Sequence, residues 1–123
     1  MCEMISGGVC AAQGFRAAGL HVGVKTHNVN KKDVALIVSD APCAAAAMFT
    51  KNVVQAAPIH VTRAHLAAGR VRAVIANSGN ANACAPHGEE NAERMCAAAA
   101  SAVGCAPEEV LVASTGVIGQ TLK

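Results

Sequence analysis

The chain has 123 residues, 53% of them apolar, and a formal charge of +2. That length holds one domain with a genuine core, and so balanced a charge argues against nucleic acid or an anionic membrane as partner. Phe15 and Phe49 are the only aromatics, so the core must close-pack from Ala, Val, Ile and Leu, and nothing offers stacking for single-stranded bases. The six cysteines form no C-x-x-C pair and sit among alanines, as small buried hydrophobes of a reducing cytosol would. No run is long and apolar enough for a membrane span, and Glu3 stands where a signal peptide would be basic.

In chain order, Met1 to Gly8 is a lead-in closed by the Gly7–Gly8 turn. Val9 to Lys25 carries Gly14, Gly19 and Gly23, which favours strands with bulges or tight turns over a helix. Thr26 to Lys32 is polar and reads as a hairpin loop. Val34 to Ser39 is a strand, ended by Asp40-Ala41-Pro42, and alanine-rich Cys43 to Thr50 is assigned to another. Asn52 to Val61 is expected to be extended because Pro58 opposes a helix. Thr62 would then cap a short helix, Arg63 to Ala68, closed by Gly69.

Val71 to Ala76 is a buried strand running into the amide-rich turn Asn77 to Cys84. Glu89 to Val103 is a helix with Ala92, Met95, Cys96, Ala99 and Val103 on one face, ended by Gly104. Pro107-Glu108-Glu109 turns into a last strand, Val110 to Ala113, which breaks at Ser114-Thr115-Gly116. Strands alternate with helices, giving an α/β or α+β class in layers.

A buried strand ending in Ser-Thr-Gly places a hydroxyl and bare N–H donors at a sheet edge, which suits an oxyanion. Such turns also occur as plain strand endings. The Asn77–Cys84 amides fit Asx-turn scaffolding better than ligand contacts. Cys84-x-x-His87 with Cys96 beyond falls short of paired zinc spacing, so no metal is assigned. Cys84 as a nucleophile would need His87 beside it. His60 and His65 are read as surface residues.

The joint order of five segments is more specific. Gly7-Gly8-Val9 with Gly14-Phe15-Arg16-Ala17-Ala18-Gly19, then Ala35 to Asp40, then Asn77-Ser78-Gly79-Asn80-Ala81-Asn82-Ala83-Cys84, then Val112-Ala113-Ser114-Thr115-Gly116-Val117-Ile118-Gly119 closely resembles the ornithine acetyltransferase family, the bifunctional glutamate N-acetyltransferases of arginine biosynthesis. The resemblance runs from Gly7 to Leu122. Cys10 and Ala12 depart from it where Thr and Pro are commoner.

The resemblance implies an α/β sandwich, present here as an incomplete N-terminal (α-chain) part, residues 1–123, without a second domain. It implies a cytoplasmic precursor that cuts itself in two and assembles as a heterotetramer. The nucleophile is the new N-terminal Thr of the downstream (β) half, which takes acetyl from N-acetylornithine or acetyl-CoA and passes it to glutamate. A Thr-Gly pair holds the oxyanion, and it matches Thr115 and Gly116. No cofactor is bound, with acetyl-CoA a co-substrate at most. The nucleophile is not in this chain: Thr121 lacks the Met-Ala-Thr context of the cut site. Most substrate-binding residues lie downstream too, so the chain alone is expected to be inactive and its partner to be the missing half. A related self-cleaving aminopeptidase, or a non-catalytic binding module for acyl-amino acids, is the alternative.

Overall fold

The computed structural model describes residues 2–122; Met1, where the expected lead-in starts, and Lys123 lie outside the described residues. Four strands form one sheet in the order β1-β2-β3-β4: β1 (Phe15–Leu20), β2 (Val34–Cys43), β3 (Val71–Asn80) and β4 (Val110–Val117). The first three are antiparallel neighbours, while β3 and β4 run parallel. Two helices, α1 (Ala57–Leu66) and α2 (Gly88–Val103), precede β3 and β4 respectively. This is the layered α/β class expected.

Alternation along the strands decides which face is dry. Val110 and Val112 of β4, Ala73 of β3 and Val61 of α1 are buried with Ala92, Cys96, Ala99 and Ala100 of α2, and Leu36, Val38 and Ile75 pack against them. With alanines supplying so much of that cluster, helix and sheet backbones can approach closely. The opposite face carries the register row Ala17, Ile37, Val74 and Leu111, and Phe15 there remains 38% exposed.

Several elements differ from expectation for identifiable reasons. α1 begins at Ala57, with Pro58 in its first turn, where a missing N–H costs nothing and the fixed φ suits a helix. Thr62 is therefore not a cap. It lies inside α1, where its hydroxyl donates to the Val112 carbonyl at 2.7 Å and accepts from the Val112 N–H at 3.0 Å, tying helix to strand. β2 runs through Asp40-Ala41-Pro42, with a register irregularity between Val38 and Cys43 that accommodates the proline. Residues 44–50 form neither strand nor helix: alanine repeats offer no hydrophobic period to dock. Gly8–Ala11 is a single turn of 3-10 helix, a small helical piece where strands were expected.

α2 matches its expected span to within one residue. Ala92, Cys96 and Ala99 are buried, Glu89 and Glu90 occupy its first turn, and Gly104 closes it at φ +78° with its N–H on Ala100. His65 is buried, 5% exposed, against the expectation of a surface residue. Its Nδ1 donates to the Val110 carbonyl at 2.7 Å, and Nε2 lies 3.2 Å from Glu93 Oε2. Cys96 alone of the six thiols is fully buried; Cys2 and Cys84 lie outside the regular elements and Cys10 in the 3-10 turn, which buries no residue, and all three are exposed. No helix among the described residues is long and apolar enough to cross a membrane.

Candidate functional site

The parallel pair β3–β4 changes character along its length. After Ala76 and Ala113 both strands turn polar, yet neither stops: Asn77 pairs with Ser114, Ser78 with Thr115 and Gly79 with Gly116, then the register slips at Asn80. The expected turns at Asn77 and Ser114 are thus strand, because ladder pairing outweighs the local turn preference of Asn, Ser and Gly. Gly116 is needed for another reason than a turn. It sits at φ +135°, and a Cβ there would overlap the Gly79 carbonyl carbon and lie 2.5 Å from the Asn80 nitrogen. Backbone meets backbone at this point, and only glycine permits it.

The end of the pair is fastened by amide side chains. Asn77 Nδ2 donates to the Asn80 carbonyl at 2.9 Å, and Asn80 Nδ2 donates to the Gln120 carbonyl at 3.0 Å. The Asn82 N–H donates to Asn80 Oδ1 at 2.7 Å, an Asx turn, and Asn82 Nδ2 donates to the Gly88 carbonyl at 2.7 Å. Main-chain bonds from Ala81 to Val117 and from Gly119 to Ala83 complete the clamp. Because the Ala57 N–H also donates to the Asn82 carbonyl, α1 and α2 both begin at this end of the sheet. Helix N-termini carry partial positive charge, and at α2 the first-turn Glu89 and Glu90 already meet it.

Thr115 is exposed and opens onto a depression of about 340 Å³ on the helix-free face, shared with Gly19, Lys32, Ala76 and Ser78. Behind it, Ser114 Oγ and Asn77 Oδ1 are buried without a protein hydrogen-bond partner among the described residues. Chemically the arrangement offers a hydroxyl beside a glycine backbone held in one geometry, at the carboxyl end of a parallel strand pair, where α/β sheets place ligands.

The remaining candidates disperse. Cys84 and His87 both adopt left-handed backbone, at φ +51° and +56°, and His87 Nδ1 lies 3.3 Å from Glu90 Oε2. Cys96 lies in the core, its thiol pushed up to about 12 by burial and by Glu93. Among the described residues no three His, Cys, Asp or Glu side chains gather as a metal site would need. His60 is exposed, 3.9 Å from Glu89.

The sequence profile of the ArgJ family matches residues 16–123. The chain belongs to the ArgJ family. It is 50% identical over 121 residues to the arginine biosynthesis bifunctional protein ArgJ of Symbiobacterium thermophilum, covering 98% of this chain and 30% of that one. To its counterpart in Gloeobacter violaceus it is 49% identical, with the same coverage. The chain thus spans about a third of the length of the curated relatives it matches. Among solved structures, ArgJ of Bacillus halodurans superposes with a TM-score of 0.87 at 44% identity, covering 94% of this chain and 60% of that one. The ornithine acetyltransferase of Mycobacterium tuberculosis, solved in complex with ornithine, gives 0.81 at 45%, covering 93% and 62%.

One part of this ArgJ chain was not anticipated. Asp33, 2% exposed, accepts from the Val22 N–H at 2.7 Å and the Lys25 N–H at 3.0 Å, with His21 Nδ1 at 3.1 Å. Burial by itself would raise its carboxyl. The Lys25 and Val22 N–H donors, His21 and the Gly23 N–H outweigh that and hold it below the ordinary value. Its own carbonyl accepts from the Ser78 N–H, so the 21–33 connection is pinned to the polar end of β3. The only local signal was a single acid at the close of a basic loop.

Proposed function

We propose that this chain is the N-terminal part of an acetyltransferase of arginine biosynthesis that moves an acetyl group from N-acetylornithine, or from acetyl-CoA, to glutamate. In this proposal residues 1–123 act as one unit. They belong to a precursor that cleaves itself and assembles as a heterotetramer, and the downstream half brings the attacking threonine. Membership of the ArgJ family, the names of its relatives and the ornithine complex of one neighbour all favour this activity. The observation that carries it is Gly116, a strand position with room for no side chain, immediately after an exposed Thr115.

Acetyl transfer by such an enzyme runs through two tetrahedral intermediates, one forming and one consuming the acetyl-threonine. Each develops negative charge on the former carbonyl oxygen. The Thr115 hydroxyl and the Gly116 N–H would donate to that oxygen. Their value lies in being fixed beforehand, since donors already in place need no reorganisation as charge develops. The clamp from Asn77, Asn80 and Asn82 supplies that fixity. No group in this chain is assigned the attack, so the chain alone should transfer nothing.

The test is Thr115→Ala in the full-length protein. We expect kcat for acetyl transfer from N-acetylornithine to glutamate to fall by about two to three powers of ten. Thr115 is exposed, so the thermal midpoint should barely move. A rate equal to the unaltered protein's would remove the oxyanion role.

A further inference from the structure

A second depression of about 470 Å³ lies beside the Gly79–Gly116 contact. Lys25, His27 and Lys31 line it from the loop, Asn28 adds an amide, and Gly79 and Val117 form the wall shared with the β3–β4 end. No carboxylate lines it. Among the described residues, none of the three basic side chains is engaged in an ion pair, although six such pairs form elsewhere. Two lysines on one concavity with no carboxylate beside them repel one another, and an anion there relieves this.

The backbone that carries the basic residues is held in place. The Lys25 N–H is fixed by buried Asp33, and Asn28 and Lys31 continue the loop through main-chain bonds to Lys25 and Asn28. The Lys31 carbonyl meets His21 Nδ1 at 3.0 Å. The stem of Lys25 crosses Gly79 so closely that its Cγ would lie 2.9 Å from a Cβ there. Gly79 is the register partner of Gly116, so the Lys25 stem packs on the strand that neighbours the proposed oxyanion donors.

The geometry points to an anion subsite formed by Lys25, Lys31 and Asn28, which takes a carboxylate or phosphate of the reacting molecule while its acyl group sits at Thr115–Gly116. This placement rests on the proposed acetyl transfer. The shared chemistry is an anionic oxygen cluster: the α-carboxylate of an acyl-amino acid or the phosphates of an acyl thioester would each supply it.

Two measurements on the full-length protein test it, with Lys25→Ala/Lys31→Ala against Lys51→Ala, an exposed lysine on another segment. Calorimetric titration with inorganic phosphate needs no turnover: the unaltered protein and the Lys51 variant should take up phosphate, and the double variant should not. Steady-state kinetics then separates the sources. With N-acetylornithine and its α-carboxamide, or acetyl-CoA and acetyl-pantetheine, the double variant should raise KM for the anionic member of one pair by about tenfold or more while kcat holds. The neutral member should not respond. Equal phosphate uptake by all three proteins, with both pairs unresponsive, overturns the subsite. Should the unaltered protein transfer no acetyl at all, the acetyltransfer proposal fails by itself, and phosphate uptake still decides the subsite.

Discussion

The two ends of the β3–β4 pair are built from the same two strands to opposite purposes. At one end Ala73, Val110 and Val112 are dry, and α1 grips them through Thr62 and His65. At the other, Asn77, Ser114, Thr115 and Gly116 keep the ladder going through residues that favour turns, with two polar atoms buried unpaired and one glycine at φ +135°. Each unmade hydrogen bond costs about 1–3 kcal/mol. The first end repays what the second costs, a division seen where a rigid scaffold holds a strained site.

The largest break in this contrast is Gly116→Ala. A Cβ has nowhere to go except through the Gly79–Asn80 peptide, so we expect a loss of about 3 kcal/mol or more, read by denaturant unfolding or as loss of soluble protein. A loss below that of an ordinary surface substitution would show that the polar end yields easily.

Thr62→Val attacks the dry end instead. It keeps the shape and leaves the buried Val112 N–H and carbonyl without their side-chain partner, at about 1–3 kcal/mol. Transfer should change little beyond the loss of folded protein, since this end touches no reacting group. A fall in kcat at full folding would mean that the two ends are coupled more tightly than their chemistry suggests.

The smallest effect sharpens the contrast by pH. Asp33 is held below the ordinary carboxylate value of 3.8, so its stabilisation is present above that value. It is lost as pH falls from there through the lower folded value. Asp33→Asn should therefore destabilise near neutrality and converge with the unaltered protein in acid. Melting curves that stay parallel down the acid limb would deny the carboxylate this role.

Local pattern was enough for Val34–Ser39, for Glu89–Val103 and for the apolar starts of β3 and β4, since period and burial coincide there. It failed where distant partners decide. β3 and β4 extend past their apolar residues because each finds the other, and His65 turns inward because the Val110 carbonyl lies within reach. Pro58 reads locally as a breaker, although a first turn accepts it. At the site, Thr115 and Gly116 stand out as a motif, whereas Lys25 comes against Gly79 only because the connection between β1 and β2 folds onto the polar end of β3. Nothing in its own neighbourhood signals that meeting.

The parallel join of β3 to β4 also sets an order of events. β1 and β2 are joined by residues 21–33 alone and can zip locally, whereas β3 must wait for α1, and β4 until the 16 residues of α2 have formed and swung back across the sheet. Closing that longer loop costs entropy before any contact rewards it. During synthesis, then, Thr115 and Gly116 reach their positions only after α2 has docked. A nascent chain with a damaged α2 would stall with the edge of β3 unpaired, a surface that recruits neighbouring chains.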